Sequence, residues 1–220
     1  NKVNGKALFV IDGENATHFI FSTKLGGMFI VDSSDPGIEL IKLTSIDKTR
    51  SYYEIILQDA KIDLLEKTAS SHEAINKTVD AGRIMLAADT VGASQVMINK
   101  SVEYAKERKQ FGRVIGSFQA VKHMCAEMAA ELEPCYSIVW HAAHCFDSSP
   151  EEARLMACQS KSHVSEVGKM VSKKATEVHG GMGFTDLLGL HYWFKRIGMN
   201  RQLLGSPELV RDEAGKIQGF

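Results

Sequence analysis

Short apolar runs alternate with turn-forming residues in the first part of the chain. Five runs are rich in β-branched and aromatic residues, which favour strands: ALFVIDG from residue 7, HFIFS from 18, GMFIVD from 27, IELIKL from 38 and YYEIILQD from 52. Asp12-Gly13, Gly26-Gly27 and the SSDPG segment at 33–37 fit turns between them. Because these connections are too short for crossover helices, the pattern predicts an antiparallel β-domain, a partial barrel or sandwich, over residues 1–66.

Helical periodicity replaces this alternation from about Ser70, which forms a capping-box pattern with Glu73. Pro134 falls inside one of the predicted helices, where it can cause a kink. Long helices joined by short connections predict an antiparallel four-helix bundle over residues 67–220. The first predicted helix runs from Ser70 to about Lys109, and the second from a cap at Ser117 to Phe146. The third has Ser149 as its cap and Pro150 in its first turn, and it ends at His179-Gly180-Gly181. A fourth covers about 187–203, and a short last helix starts at Ser206-Pro207.

Composition excludes several classes of protein. The chain has 220 residues, 44% of them hydrophobic, and a net charge of −1, so it lacks the basic excess of a nucleic-acid binder. No apolar run reaches the roughly 20 residues of a membrane span. The start, NKVNGKALFV, has neither a Met nor a secretory signal and reads as a strand, so we expect a fragment or a processed product. The four cysteines form no Cys-x-x-Cys pair, which predicts reduced, buried thiols.

Two glycine-punctuated connections carry the first candidate chemistry. Arg108 lies where the first helix ends, and Gln119 lies in the first turn of the next helix. Arg108 either complements the helix dipole or, with the helix N-terminus at Gln119, binds a phosphate. The second connection, EVHGGMGF from Glu177 to Phe184, is either a turn or a loop whose backbone approaches a cofactor closely.

Other polar and aromatic residues fit structural roles. Asp80 and Arg83 have the i,i+3 spacing of an ion pair on an exposed helix face. His141 and His144 also lie three residues apart, but no Glu-x-x-His motif accompanies them, so we predict bundle-edge histidines and no metal site. The large aromatic residues of the helices are predicted to pack in the core, namely Trp140, Trp193 and Phe194.

The order of these motifs is more specific than any one of them. ERKQFGRVIGSFQAVKH, EVHGGMGFT and HYWFKR follow one another along the helices, after NGKALFVIDG and PGIELIKLTSIDKTRSYYEIILQDAKI in the strands. This order strongly resembles the acyl-CoA dehydrogenase family, covering its C-terminal helical half and most of its middle β-domain. The family's N-terminal helical domain has no counterpart in the sequence.

The resemblance implies an FAD-dependent oxidoreductase of fatty acid metabolism. A carboxylate removes a proton from the α-carbon of an acyl-CoA, the flavin takes a hydride from the β-carbon, and an electron-transfer flavoprotein receives the electrons. It implies a homodimer or homotetramer assembled through the bundle, in the cytoplasm of a bacterium or the mitochondrial matrix of a eukaryote. Asp80 and Arg83 match residues near the acyl-CoA. The implied FAD contacts, some to the cofactor of a neighbouring subunit, are Phe9, Val10, Ile11, Arg108, Phe111, Gln119, Glu177, Val178, His179, Gly180, Gly181, Ser206 and Glu208.

The catalytic base of the family has no counterpart at either of its usual positions. These positions are Leu204 and Gly82 in this chain, and neither residue can accept a proton. Asp80 is a poor substitute if Arg83 lowers its pKa, and Glu208 is expected against the cofactor. The catalytic residue is therefore unknown, and a partner chain could supply it.

Three functions stay open at this point. The first is an active acyl-CoA dehydrogenase with an unusual base. The second is a non-catalytic subunit that completes the FAD site of a catalytic homologue in a hetero-oligomer. The third is a relative that uses the same flavin site for other chemistry, such as nitroalkane oxidation or hydroxylation.

Overall fold

The computed structural model describes residues 1–23, 27–65 and 72–220. The chain forms two compact units, residues 1–78 and 79–220. The predicted domain boundary at 66/67, the predicted cap at Ser70 and Gly26 of the Gly26-Gly27 turn lie outside the described residues. The boundary at 66/67 therefore stays a prediction.

The first unit contains two antiparallel three-stranded sheets, as the alternating pattern predicts. One has the order β1-β5-β4 and the other β2-β3-β6, and the described strands do not close into a barrel. Phe19, Phe29, Val31, Ile55 and Leu57 form most of the buried core between these strands. The strands are β1 Lys2–Ile11, β2 His18–Ser22, β3 Met28–Asp32, β4 Ile38–Leu43, β5 Tyr52–Lys61 and β6 Asp63–Leu64.

The second unit is built on long helices that share one apolar core. Four of the five helices contribute buried side chains to this core, for example Met97, Met128, Val164 and Ile197. The four-helix prediction is thus confirmed, and the short last helix predicted from Ser206-Pro207 follows at the C-terminus. The helices are α1 His72–Glu107, whose first turns belong to the first unit, α2 Gln119–Ser148, α3 Pro150–His179, α4 Leu190–Gln202 and α5 Pro207–Ile217.

Helix ends differ from the predictions where glycine or a short hairpin intervenes. Helix α1 ends at Glu107 rather than about Lys109, because strands β7 Lys109–Gln110 and β8 Arg113–Val114 form a small hairpin there. Helix α4 begins at Leu190 rather than about Leu187, since Gly189 before it adopts a left-handed φ of 63°. Ser206 caps α5 through its side chain, as predicted. Ser117 does not cap α2, because its hydroxyl donates to the Val114 carbonyl instead.

Several side chains lie elsewhere than predicted. Trp140 is 80% exposed, because the core face of α2 is marked by Leu132, Cys135 and Ala142 and Trp140 falls outside it. Phe194 is also exposed, whereas Trp193 packs against the core as predicted. All four cysteines are free thiols; three are buried, and Cys125 is half-buried. Within the described residues, every helix is too short or too polar to cross a membrane.

Candidate functional site

The connection between α1 and α2 is a β-hairpin that holds Arg108 at its base. The Arg108 amide donates to the Tyr104 carbonyl at 2.8 Å, and the Arg108 carbonyl accepts from the Ile115 amide at 2.7 Å. Phe111 and Gly112 form its tip with φ angles of 53° and 77°. Two positive φ angles define the type I′ turn that suits a tight hairpin, but Phe adopts this conformation at a cost. Phe111 is also 91% exposed, so little burial in this unit offsets that cost.

A surface cleft of about 450 Å³ connects this hairpin to the end of α3. Arg108, Tyr104 and the segment Glu177–Gly181 line it, so the structure brings together six of the predicted cofactor residues. In the described part of the chain, the Arg108 guanidinium has no ion-pair or hydrogen-bond partner. A cleft wall with an unpaired guanidinium is suited to an anionic ligand.

The wall opposite Arg108 is made by the end of α3. Helix α3 ends at His179 because Gly180 adopts a positive φ of 57°, as the glycine stop predicted. A side chain added at Gly180 or Gly181 would meet only open space, so the backbone there is accessible to a ligand. His179 stacks on Tyr104 with 4.6 Å between ring centroids. Burial lowers the pKa of His179, so the imidazole is neutral near pH 7 and the cationic group of the cleft is Arg108.

The remaining predicted cofactor residues of this unit lie outside the cleft lining. Gln119 is the exposed first residue of α2, and Phe111 packs edge-on against Phe118 just before it. Ser206 caps α5, and the exposed Glu208 carboxylate accepts from Arg201 at 2.7 Å. The Glu208 backbone amide, Ser206 and Arg201 lower the pKa of Glu208 to about 2, so this carboxylate is ionised and a weak base.

The predicted flavin-side residues lie in the first unit, on β1. Phe9 has a positive φ of 59° and an exposed ring, at an irregularity in the β1–β5 pairing between Ala7 and Val10. Val10 packs partly against the sheet core, and Ile11 is exposed. A bulged strand that presents a Phe outward is typical of a functional edge.

Asp80 and Arg83 belong to a buried ionic network, so an ion pair on an exposed helix face is the wrong interpretation. Arg83 donates to Glu213 at 2.8 Å and lies 3.6 Å from Asp80, while Arg154 lies 3.4 Å from Asp80 and pairs with Glu213. Arg83 also donates to the Leu204 carbonyl at 3.0 Å. Sequence patterns missed Arg154 and Glu213, because they lie on α3 and α5, far from Asp80 along the chain.

The pKa of Asp80 is raised, whereas the sequence reasoning expected Arg83 to lower it. Burial disfavours the charged carboxylate, and this effect outweighs the attraction of Arg154 and Arg83. Among the described residues, Asp80 Oδ1 also has no hydrogen-bond donor. A raised pKa removes the objection that Asp80 is too acidic to accept a proton.

The two positions to which the resemblance assigns the base, Leu204 and Gly82, meet in space. Leu204 has a left-handed φ of 56°, which turns its side chain toward α1. Its Cδ1 atom lies so close to Gly82 that a side chain on residue 82 would overlap it. An apolar contact therefore occupies the place where a carboxylate from either position would lie.

Comparison with known proteins places the chain in a family. Residues 72–217 match the family model described as acyl-CoA dehydrogenase, C-terminal domain. The chain belongs to the acyl-CoA dehydrogenase family. Its antiparallel sheets and helical bundle superpose on butyryl-CoA dehydrogenase from Megasphaera elsdenii with a TM-score of 0.89 and 25% identity, covering 99% of this chain and 60% of that one.

Two curated relatives illustrate the range of the family. The caffeyl-CoA reductase-Etf complex subunit CarC of Acetobacterium woodii is 33% identical over 163 residues, which are 71% of this chain and 42% of the relative. The acyl-CoA dehydrogenase IpdE2 of Mycobacterium tuberculosis is 37% identical over 132 residues, which are 60% of this chain and 39% of the relative. The matched region thus spans about two fifths of each relative.

Proposed function

We propose that this chain is part of an FAD-dependent oxidoreductase that acts on an acyl-CoA thioester and passes electrons to an electron-transfer flavoprotein. The supporting observation is the cleft lined by the glycine-rich end of α3 and by Arg108, whose guanidinium has no partner among the described residues. The relatives support the reaction class, because they include an acyl-CoA dehydrogenase and a subunit of an Etf complex.

The cleft fits the phosphate-bearing part of FAD. Arg108 would hold a phosphate bidentately, and Gly180 and Gly181 would let the backbone approach the adenosine half. His179, neutral and stacked on Tyr104, would form an uncharged wall. Bound FAD would supply a flavin ring that accepts a hydride. In an oligomer, the cleft would serve the cofactor of a neighbouring subunit, with Gln119 and Phe111 at its rim.

Flavin retention in the full-length protein tests this role. The Arg108→Lys variant keeps the charge but loses the planar fork, so we expect flavin affinity to fall more than tenfold, or about 1.5–3 kcal/mol. Arg113→Lys is the matched control, because Arg113 lies in the same hairpin and stacks on Phe118, 4.0 Å from the ring centroid. Full flavin content and affinity in Arg108→Lys would show that Arg108 only complements the helix dipole.

A second candidate function follows from the contact between Leu204 and Gly82. An apolar contact at both base positions favours a subunit that binds FAD but leaves proton removal to a catalytic homologue. Among the acids that the structure describes, Asp80 is the one with a raised pKa, but its network with Arg83 and Arg154 ties it to a structural role.

Turnover of acyl-CoA thioesters with an artificial electron acceptor distinguishes the two candidates. If this subunit is non-catalytic, the full-length protein alone is inactive, and Leu204→Glu, which places a carboxylate of similar size at the usual position, gains activity. Turnover by the unaltered protein that is lost in Asp80→Asn would instead support an active dehydrogenase with Asp80 as its base. Leu204→Gln is the control for the size and polarity of the new side chain.

A further inference from the structure

Three potential metal ligands meet at the connection between α2 and α3. His141 and Cys145 lie four residues apart on α2, and Glu152 lies in the first turn of α3. This is the opposite end of α2 from Gln119 and the opposite end of α3 from the Glu177–Gly181 segment. At 1.5 Å per residue, the separation from the cleft is about 35 Å, so the cluster is independent of the proposed cofactor site.

The distances between the three donor atoms are close to those of a tetrahedral zinc site. Cys145 Sγ lies 3.6 Å from His141 Nε2 and 3.9 Å from Glu152 Oε2. Zn–S and Zn–N bonds of about 2.3 and 2.0–2.1 Å at a tetrahedral angle separate sulfur from nitrogen by about 3.5 Å. All three donor atoms lie within 4.8 Å of one another, so a modest rotation of the flexible Glu152 side chain completes the geometry.

The backbone holds Cys145 and Glu152 in register. Ser149 links them, because its amide donates to the Cys145 carbonyl at 2.9 Å and its carbonyl accepts from the Glu152 amide at 3.0 Å. The helical spacing of His141 and Cys145 puts both on one face of α2. The ligands are thus presented by rigid elements on both sides of a one-residue connection, which reduces the entropy that a metal must overcome.

Burial gives the cluster a closed side and an open side. Cys145 is buried, whereas His141 and Glu152 are exposed. A cation would therefore rest on the sulfur and keep a fourth position for water, as three-ligand zinc sites do. A thiolate and an imidazole select borderline-soft cations over Mg²⁺ and Ca²⁺, which prefer oxygen ligands.

We propose that His141, Cys145 and Glu152 form a binding site for a divalent cation of the Zn²⁺ type that clamps α2 to α3. On binding, the Cys145 thiol releases its proton to solvent, and the sulfur, the imidazole nitrogen and the carboxylate oxygen each donate an electron pair to the metal. The site uses Cys145 rather than His144 as the partner of His141, which the i,i+3 histidine spacing did not indicate.

Titration of the reduced, metal-free, full-length protein with Co²⁺, a spectroscopic substitute for Zn²⁺, tests the site. We expect one equivalent to bind with a thiolate-to-cobalt charge-transfer band. Cys145→Ser removes the band, and His141→Gln and Glu152→Gln weaken binding at least tenfold. Cys125→Ser, His144→Gln and Glu151→Gln are matched controls in the same helices and keep both the band and the affinity.

Thermal unfolding supplies a second measurement that does not depend on the cobalt absorption band. Zn²⁺ that binds only the folded state raises the thermal midpoint of the unaltered protein, and this rise is absent in Cys145→Ser. The midpoint of Cys145→Ser without metal shows whether the variant folds. The proposal is wrong if no stoichiometric metal binds, or if a folded Cys145→Ser variant binds Co²⁺ as tightly as the unaltered protein with the same band.

Discussion

At the scale of single residues, Gly82 and Leu204 form one unit although they lie far apart in the chain. The missing Cβ of Gly82 leaves the space that Leu204 Cδ1 fills. A side chain placed on residue 82 alone overlaps Leu204, whereas a change at Leu204 alone meets no side chain on Gly82. The pair removes both candidate carboxylates and preserves packing at the same place.

This interdependence predicts a measurable coupling between the two positions. Gly→Ala in a helix interior stabilises by about 0.5–1 kcal/mol, because the unfolded chain loses freedom. We expect Gly82→Ala to lose this gain in the unaltered protein, where Leu204 must move, and to show it in the Leu204→Ala background. Free energies of unfolding from urea titrations measure the difference.

Gly92→Ala provides the control for the coupling, because a Cβ at Gly92 meets no atom within 4 Å. Gly92→Ala should raise the free energy of unfolding equally in the unaltered protein and in the Leu204→Ala variant. If Gly82→Ala stabilises the unaltered protein as much as Gly92→Ala does, Leu204 does not fill the space beside Gly82.

A second prediction at the residue scale concerns Lys161, which is buried on α3. Its ammonium donates to the carbonyls of Asn200 at 2.6 Å and Arg201 at 3.1 Å, so it satisfies the end of α4. Burial, together with the positive charges of Arg83 and Arg201, lowers the pKa of Lys161 to about 8 from 10.5. Between these two values the unfolded chain binds more protons than the folded chain, so stability rises with pH through that window.

The effect of Lys161 is isolated by comparison with Lys161→Met. From pH 8 to 10.5, the free energy of unfolding of the unaltered protein should increase relative to that of Lys161→Met, on the order of 1–3 kcal/mol. Below pH 7 the difference should stay constant, since Lys161 is then protonated in both states. If the free energies of unfolding of the two proteins change in parallel with pH, the Lys161 ammonium is not desolvated in the folded state.

At the scale of the elements, Arg83 joins four parts of the helical unit. From α1 it reaches Cys158 on α3, Glu213 on α5 and the Leu204 carbonyl between α4 and α5. A guanidinium makes these contacts at once because its donors lie in one plane. The segment that carries Leu204 is thus positioned by an Arg that the sequence resemblance assigned to substrate binding, and this substrate role stays a prediction.

We therefore expect Arg83→Leu to be among the most destabilising substitutions in this unit. Removing one partner of a buried ionic network costs about 3–5 kcal/mol, because the remaining charges lose compensation. Arg154→Leu should cost less, since the Arg154 side chain is 34% exposed and water replaces part of its contacts. Urea unfolding of both variants measures the decrease in the free energy of unfolding. An equal decrease in the two would mean that burial of the Arg side chain does not determine it.

The hairpin tip gives another prediction at the element scale. Phe111 occupies a position that type I′ turns normally give to Asn, so Phe111→Asn should raise the free energy of unfolding by up to about 1 kcal/mol. The same substitution should weaken flavin retention in the full-length protein, because the exposed ring is proposed to border the cofactor. Phe111→Ala is the control, which loses the ring but keeps the unfavourable backbone. Unchanged flavin retention in both variants would show that the Phe111 ring does not contact the cofactor.

Periodicity predicted the strands and helices because burial of one face repeats regularly along each element. The hairpin at 109–114 was missed, since two-residue strands have no periodicity, and the Ser117 cap was wrong because its hydroxyl has a nearer acceptor in Val114. Motif order identified six of the residues that line the cleft, and their role in FAD binding stays a prediction. The ionic network was not predictable, because the partners of Arg83 come from helices that only the fold brings together. Glu152 was likewise not predicted as a neighbour of His141 and Cys145, because it lies on another helix.

At the scale of the whole molecule, the candidate residues are distributed over two compact units and several helix ends. The cleft lies at one end of α3, and the proposed metal site lies at the other. The base positions and the Arg83 network form a third region that also belongs to the helical unit. Arg154 of the Arg83 network and Glu152 of the proposed metal site both lie in the first two turns of α3, whereas the cleft lies at the other end of that helix. Along α3, the cleft is therefore separated from the other two regions, which are neighbours.

The last prediction concerns self-association through the helical bundle. The apolar side chains of Met128 and Leu132 on α2 are buried in the bundle's own core and do not contribute to such a surface. The exposed aromatic surface of α2 lies instead at Tyr136 and Trp140, four residues apart and therefore on one face. An exposed Trp beside a Tyr is typical of the centre of a protein–protein contact, so we expect a second bundle to cover this face.

Analytical ultracentrifugation of the full-length protein at micromolar concentration measures the association. We expect Trp140→Glu to shift the protein toward smaller species while its free energy of unfolding, measured at a concentration where both proteins are dissociated, stays within about 0.5 kcal/mol. Lys122→Glu, at another exposed position on α2, should leave the assembly unchanged. Since the proposed FAD site is shared between subunits, the smaller species should also retain less flavin. A Trp140→Glu protein with unchanged sedimentation would exclude this face of α2 as the contact between subunits.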